Sequence, residues 1–259
     1  MKLIIRKSAL TSILFVSLLM GIVGIYAQSP SDQIRNAGTF YSEGKYTEAA
    51  AIYEEIISNG YASPELFYNL GNAYFKLNQI PSAILFYEKA RKLNPQDEDI
   101  LFNLNLANSR IIDKIEPLPE FFLKRWWHSF RDITTVDNWA TTSIIFFILT
   151  LTAICAFILS NSYQIRRIAL IGGIVVIVIS GVSTMMAAQK YNSNTRSESA
   201  IIFTPTVTVK SSPSEKSIDL FVIHEGTKVY LTDTVEGWSE VRIADGNKGW
   251  IKSSDFQAI

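Results

Sequence analysis

Cysteine is almost missing from this chain. The one present, Cys155, stands inside an apolar run, which excludes a disulfide framework, a redox thiol pair and a cysteine metal site. Histidine is nearly as scarce. His128 and His224 are far apart in sequence, and neither has a neighbouring cluster of ligand or nucleophile type. No glycine-rich phosphate loop occurs, since Gly172-Gly173 falls within an apolar run. Neither sign of charge dominates, with 24 Lys and Arg against 24 Asp and Glu, and no basic, aromatic-interleaved patch points to nucleic acid. The expectation is a protein that is not an enzyme and holds no cofactor or metal.

What is present is a period. Ala37, Phe40, Ala49 and Tyr53 recur 34 residues later as Gly71, Tyr74, Ala83 and Tyr87. In the second copy, Phe67, Leu70-Gly71, Tyr74, Ala83, Tyr87, Ala90 and Pro95 complete a pattern that resembles the tetratricopeptide repeat, a helix–turn–helix unit. Gly71 and Ala83 are small where the two helices of a unit cross. Ser63 can cap the first helix with Pro64 in its first turn, and Pro81 opens the second helix in the same way. The first copy, Pro30 to Ser63, is weaker at its start, where Gln33 and Asn36 replace apolar residues. After the second copy, Asp97 to Glu116 reads as one further helix with Leu101, Leu104, Ala107 and Ile111 on one face, capping the stack. The acidic run Asp97-Glu98-Asp99 complements the dipole at its start.

Such repeats bind other proteins on a concave face. The resemblance assigns that face to Ile34, Gly38 and Tyr41, then to Glu65, Tyr68, Asn72, Phe75 and Lys76, and on the capping helix to Asp99, Phe102 and Leu106. The family's clamp for C-terminal carboxylates needs lysines and arginine there. Only Asn69 fits that clamp, while Ile34 and Asp99 contradict it. Residues 28–116 carry 12 acidic and 8 basic side chains, which disfavours an anionic partner. The chief candidates for contact are Tyr41, Glu65, Tyr68, Asn72, Phe75, Lys76 and Phe102, suited to a peptide or helix with apolar anchors. The competing reading is that these aromatics only pack against neighbouring helices.

Residues 1–27 read as a secretory signal. Lys2, Arg6 and Lys7 precede an apolar run from Ala9, and Ile25-Tyr26-Ala27 offers a cleavage site, though an uncleaved anchor fits the same run. Two uncharged runs follow, Ala140–Leu159 and Ile168–Ala188, each long enough for the ~30 Å hydrocarbon core. They predict a transmembrane hairpin, 139–160 and 168–188, with 161–167 as its link. Trp139, Tyr163 and Tyr191 stand where interfacial aromatics belong. Gly172, Gly173 and Gly181 would let the second helix approach its neighbour. A hairpin returns the chain to the side it left, so both flanking regions share one compartment. The signal places that compartment outside the inner membrane, with Arg166 and Arg167 cytoplasmic. Lys124, Arg125, Arg131, Lys190 and Arg196, counted alone, favour the reverse. The aromatic, basic stretch Phe121–Phe130, set off by Pro117 and Pro119 within a linker of residues 117–138, is expected to lie among lipid headgroups.

Past a short linker of residues 189–199, residues 200–259 change character. Thr206–Lys210, Leu220–Ile223, Lys228–Leu231 and Glu240–Ile243 alternate as strands, separated by Ser211-Ser-Pro-Ser, Glu225-Gly, Glu236-Gly and Asp245-Gly turns. Val207-Thr-Val-Lys-Ser-Ser-Pro-Ser, Gly237-Trp-Ser-Glu-Val and Asp245-Gly-Asn-Lys-Gly-Trp-Ile resemble a bacterial SH3-type domain, a small barrel. Domains of that kind occur in envelope proteins, where some bind peptidoglycan or peptides. Tyr230, Trp238 and Trp250 are its candidate ligand face, although Trp250 reads rather as a core residue beside the glycine turn.

The expected architecture is therefore multi-domain: helical repeats over residues 28–116, a membrane hairpin, and an SH3-like barrel over 200–259. That order, with Asn103-Leu-Asn-Leu-Ala, the Trp126-Trp127 linker and the closing Gly-Trp-Ile, resembles the BatE proteins of the Bacteroides aerotolerance operon. The resemblance implies a membrane complex with other Bat proteins, some carrying von Willebrand factor A domains, and a role in envelope integrity and tolerance of oxygen or other stress. The partners implied are membrane or periplasmic proteins and the bilayer. An envelope anchor that binds peptidoglycan through the C-terminal domain is the alternative.

Overall fold

The computed structural model describes residues 30–119, 121–195 and 198–259. The expected signal segment 1–27 and Arg196 lie outside the described residues. Helices α1 (Pro30–Ser42), α2 (Tyr46–Ser58), α3 (Pro64–Lys76), α4 (Ile80–Leu93) and α5 (Glu98–Asn108) form the repeat region. The Ser63 hydroxyl accepts the Leu66 N–H at 3.1 Å and Pro64 opens α3. Asp97 caps α5 by accepting from the N–H groups of Asp99 and Ile100 at 3.1 and 3.2 Å. Despite its weak start, the first copy folds as a helix pair. Ala37, Ala49, Tyr53, Ile56, Leu66 and Leu70 share one core across α1, α2 and α3. Between α3 and α4 the gap at Gly71 is filled by a ring, for a Cβ there would stand 2.7 Å from Tyr87 Cδ1.

The capping helix is shorter than expected. It stops at Asn108, where Lys114 folds back and its ammonium donates to the carbonyls of Asn108 and Ser109, both at 2.9 Å. Those carbonyls have no partner within the helix, so a cationic donor terminates it. Residues 112–119 therefore run as coil toward the C-terminal module, and Ile111 leaves the helical face assigned to it.

Helix α6 (Phe122–Arg131) precedes two long apolar helices, α7 (Val136–Leu159) and α8 (Tyr163–Thr195), packed as a hairpin. At 1.5 Å per residue their lengths are about 36 and 50 Å. Buried helices of a soluble domain would hide their side chains. Here only 6% and 11% of the most apolar stretches are buried, which fits lipid-facing helices instead. The pair is joined by the Ser143–Thr184 hydroxyl contact at 2.6 Å and by Ser180 donating to the Ser143 carbonyl at 3.1 Å. Two expectations change. The link shrinks, because α8 begins at Tyr163 and takes Arg166 and Arg167 into its first turns, with the Arg166 guanidinium 5.0 Å from the Phe157 ring centroid. Of the glycines, Gly173 faces α7, where a Cβ would stand 3.3 Å from Ala153 Cβ, whereas Gly172 and Gly181 face open space.

The C-terminal module is a seven-stranded antiparallel sheet: β1 (Ser199–Ile202), β2 (Thr206–Lys210), β3 (Asp219–His224), β4 (Lys228–Val235), β5 (Trp238–Arg242), β6 (Lys248–Lys252) and β7 (Phe256–Ala258). Their spatial order is β3-β2-β6-β5-β4-β1-β7. Alternation sends Val207, Val209, Ile223, Val229, Val241 and Ile251 into one shared core, so the sheet curls around its inner face.

Candidate protein-interaction site

The concave face of the repeats is built from α3 and α5. Tyr68, Asn72 and Phe75 line one side of α3 and are half-buried. Asn103 of α5 ties them together, its amide donating to the Tyr68 hydroxyl at 2.8 Å and to Asn72 Oδ1 at 3.0 Å. Asn72 Oδ1 also accepts from the Tyr87 hydroxyl at 2.7 Å. The floor of the groove is thus a hydrogen-bonded network that fixes its own rotamers. Arg110 stacks its guanidinium 4.8 Å from the Phe75 centroid and adds a cation to one wall. Tyr41 packs edge-on to Tyr46 at 5.2 Å. Burial, then the neighbouring Tyr46 and Tyr68 phenols, push its phenol above the ordinary tyrosine range.

The two readings of these aromatics divide by residue. Tyr41, Tyr68 and Phe75 pack partly against the core. Phe102 is 68% exposed and Leu106 40%, one turn apart on α5, so they present apolar surface to solvent while Ile100, Leu104 and Ala107 bury the opposite side. Glu65 and Lys76 are exposed at the rim. Asn103 and Arg110 were not among the sequence candidates. The only available signal was their position one residue and two turns beyond Phe102.

On the C-terminal sheet, Tyr230, Trp238 and Trp250 lie on the outer face, opposite Val229, Val241 and Ile251. Strand register puts them in three separate rows: Tyr230 beside Arg242 and Lys248, Trp250 between Glu240 and Lys210, and Trp238 beside Lys252. Trp250 is half-buried there and is not a core residue. Trp238 and Trp250 are diagonal neighbours on adjacent strands, but among the described residues no ring contact joins Tyr230, Trp238 and Trp250 into a stacking platform. Tyr230 carries two cations near its ring, Lys228 at 5.8 Å and Arg242 at 5.4 Å.

The sheet does not stand apart from the repeats. Ile201 and Ile259 enter the same core as Ile84, Leu85, Leu104 and Ala107 of α4 and α5. Each isoleucine hidden this way contributes roughly 1.5–3 kcal/mol. Glu88, 5% exposed on α4, accepts Arg91 at 2.7 Å and Lys228 of β4 at 2.8 Å through the same oxygen. Burial holds the Lys228 ammonium below its ordinary pKa, and Glu88 works against that shift. The coil after α5 belongs to the sheet as much as to the repeats. Ile115 packs on the sheet core, and the Leu118 N–H donates to the Ala244 carbonyl at 3.1 Å. Gly226 at φ +84° lies against Ile111, where a Cβ would come within 2.4 Å of its Cγ2. Glu88 carried a faint sequence signal, as a lone carboxylate one turn from Ile84 in an apolar stripe. Lys228 carried none.

A family model described as tetratricopeptide repeat matches residues 64–97, the span of α3, α4 and the approach to α5. No curated protein matches the chain. This is therefore a tetratricopeptide repeat protein with two long apolar helices and a C-terminal antiparallel sheet. Repeats of this type suggest a protein-binding role, and the apolar helices suggest membrane association.

Proposed function

We propose that this chain is a non-enzymatic, membrane-anchored scaffold whose repeat groove binds a partner protein of the cell envelope. One observation carries the reading: Phe102 and Leu106 hold apolar surface open beside a hydrogen-bonded floor of Tyr68, Asn72 and Asn103. A preorganised groove loses little freedom on binding, and its exposed anchors gain by leaving water. The excess of acidic over basic side chains across residues 28–116 disfavours an anionic partner, and the exposed anchors suit a helix or peptide with apolar residues. Hairpin parity puts the groove and the SH3-like sheet in one compartment, the periplasm under the signal reading. The resemblance to BatE extends this to a complex with other Bat proteins and to a part in oxygen or stress tolerance.

The SH3-like sheet is assigned a supporting role, because it shares a core with α4 and α5. This affects how the proposal is tested. Deleting residues 200–259 would uncover Ile84, Leu85 and Leu104, so loss of function would not identify a ligand site. Point variants avoid that problem. Intact cells expressing the full chain, Phe102→Ala/Leu106→Ala, or Trp238→Ala/Trp250→Ala would be crosslinked and the membranes solubilised and fractionated. Membrane proteins lost with the groove variant alone support the scaffold. Wall fragments lost with the tryptophan variant, with protein partners retained in both, would overturn it in favour of an envelope anchor.

A further inference from the structure

Helix α6 buries none of its residues, although half of them are large and apolar. Phe122, Trp126 and Phe130 recur every four residues, and with Leu123 and Trp127 they occupy an arc of about 140°. Lys124, Arg125, His128 and Arg131 take the remainder. Phe122 is 61% exposed, Leu123 53% and Trp126 63%. The Trp126 and Phe130 rings stack at 6.0 Å, so the exposed face is a coherent aromatic surface.

Its position is fixed by the hairpin. The Trp127 indole donates to Gln189 Oε1 of α8 at 3.1 Å, and the Trp139 indole of α7 donates to the Arg131 carbonyl at 2.9 Å. Lys190 donates to the Thr134 carbonyl at 2.6 Å in the turn between α6 and α7. Every one of these ties falls where the uncharged runs end, just after Ala188 and just before Ala140. The repeats meet the same spot: Leu93 to Gln96, at the end of α4, share a small cavity of about 160 Å³ with Asp132 to Thr135 and Lys190.

We infer that α6 lies in the headgroup layer of an anionic lipid surface, aromatic face toward the acyl chains, and braces the repeat–sheet body above the bilayer. The inference rests on the membrane reading of α7 and α8, because it is continuity with their ends that makes lipid the occupant of this face. An amphipathic helix of this composition binds by burying its apolar arc while cations meet acidic headgroups. Arg131 is paired with Asp132 at 2.9 Å, which leaves exposed Lys124 and Arg125 for the headgroups.

The test uses the full chain with Cys155→Ser, reconstituted in vesicles of phosphatidylcholine with phosphatidylglycerol. An environment-sensitive NBD label is placed at Trp126→Cys, at Leu123→Cys as a second site on the face, at Ile148→Cys in α7, and at Lys216→Cys as an aqueous reference. The α6 and α7 labels should be quenched by lipid-borne nitroxide, and quenched by iodide at least about threefold less than the Lys216 label. Protection on α6 should fall in pure phosphatidylcholine; equal protection there would overturn the assignment to anionic lipid. If both α6 labels behave like Lys216 while Ile148 stays shielded, the brace is wrong and the spans stand. If Ile148 is also open to iodide, the membrane reading fails and the inference falls with it. Shielding from iodide without quenching by lipid-borne nitroxide would mean that protein covers the face, and overturns the inference too.

Discussion

Asp113 and His224, 111 residues apart in sequence, hold each other through two hydrogen bonds. The His224 N–H donates to Asp113 Oδ2 at 2.7 Å, and its Nδ1 lies 2.8 Å from Oδ1. The Thr227 hydroxyl adds a third bond to Oδ2 at 2.6 Å. One carboxylate from the end of the repeats thus closes the β3–β4 turn of the sheet.

Burial alone would raise the Asp113 pKa. The Thr227 hydroxyl and then the His224 ring and backbone N–H outweigh it, holding the carboxyl below the ordinary range. A carboxylate with a depressed folded-state pKa stabilises fully above its unfolded value, about 3.9, and that contribution is lost as pH falls through the folded value. Asp113→Asn should therefore cost about 1–3 kcal/mol at neutral pH. Thermal melts of the full chain in detergent should show the gap between the two proteins present at neutral pH and narrowing below about pH 4.

Glu88 and Lys228 should respond unequally to substitution. Removing Lys228 leaves Glu88 paired with Arg91, whereas removing Glu88 strands a largely buried ammonium. Glu88→Ala should cost roughly 3–5 kcal/mol and Lys228→Met roughly 1 kcal/mol. Equal losses of melting temperature would show that the shared carboxylate is not what joins α4 to β4.

Phe102 and Leu104 are two residues apart on opposite sides of α5. Leu104, 3% exposed, faces the core shared with the sheet, so Leu104→Ala should cost about 2–5 kcal/mol. Phe102→Ala should shift stability by no more than about 0.5 kcal/mol. In a pull-down from membranes the order should reverse, with Phe102→Ala losing partners and retaining its melting temperature. A Phe102→Ala variant as unstable as Leu104→Ala would mean the exposed ring is structural.

Gly71→Ala places a methyl 2.7 Å from the Tyr87 ring, which is 1% exposed and tethered through its hydroxyl to Asn72. Overpacking of this kind costs about 1–3 kcal/mol. Restoring space with Gly71→Ala/Tyr87→Leu should recover part of it, read as melting temperature by circular dichroism; a double variant weaker than the sum of both singles would count against the contact.

Local features were legible in the sequence. The 34-residue period gave the helix pairs, since each repeat is a supersecondary unit with its small residues at fixed places. Ser63 announced its helix as a cap, and the acidic run from Asp97 marked the start of another, because both signals lie within the first turn. Run length alone marked α7 and α8, and alternation gave the strand Thr206–Lys210 to the residue. The tertiary structure decided how these pieces meet. Ile111 fitted a helical face in the sequence, yet Lys114 ended the helix at Asn108 and Ile111 packs against Gly226. Trp250, beside the glycine turn, reads in the sequence as core, yet strand register places it on the outer face between Glu240 and Lys210. Glu88 with Lys228 and Asp113 with His224 are pairings across more than a hundred residues. Nothing within a window of one helix or strand encodes such contacts, because they exist only once both surfaces have folded and their buried charges need partners. Local pattern is enough to specify each module; joining the repeats, the coil after α5 and the sheet into one body takes packing in three dimensions.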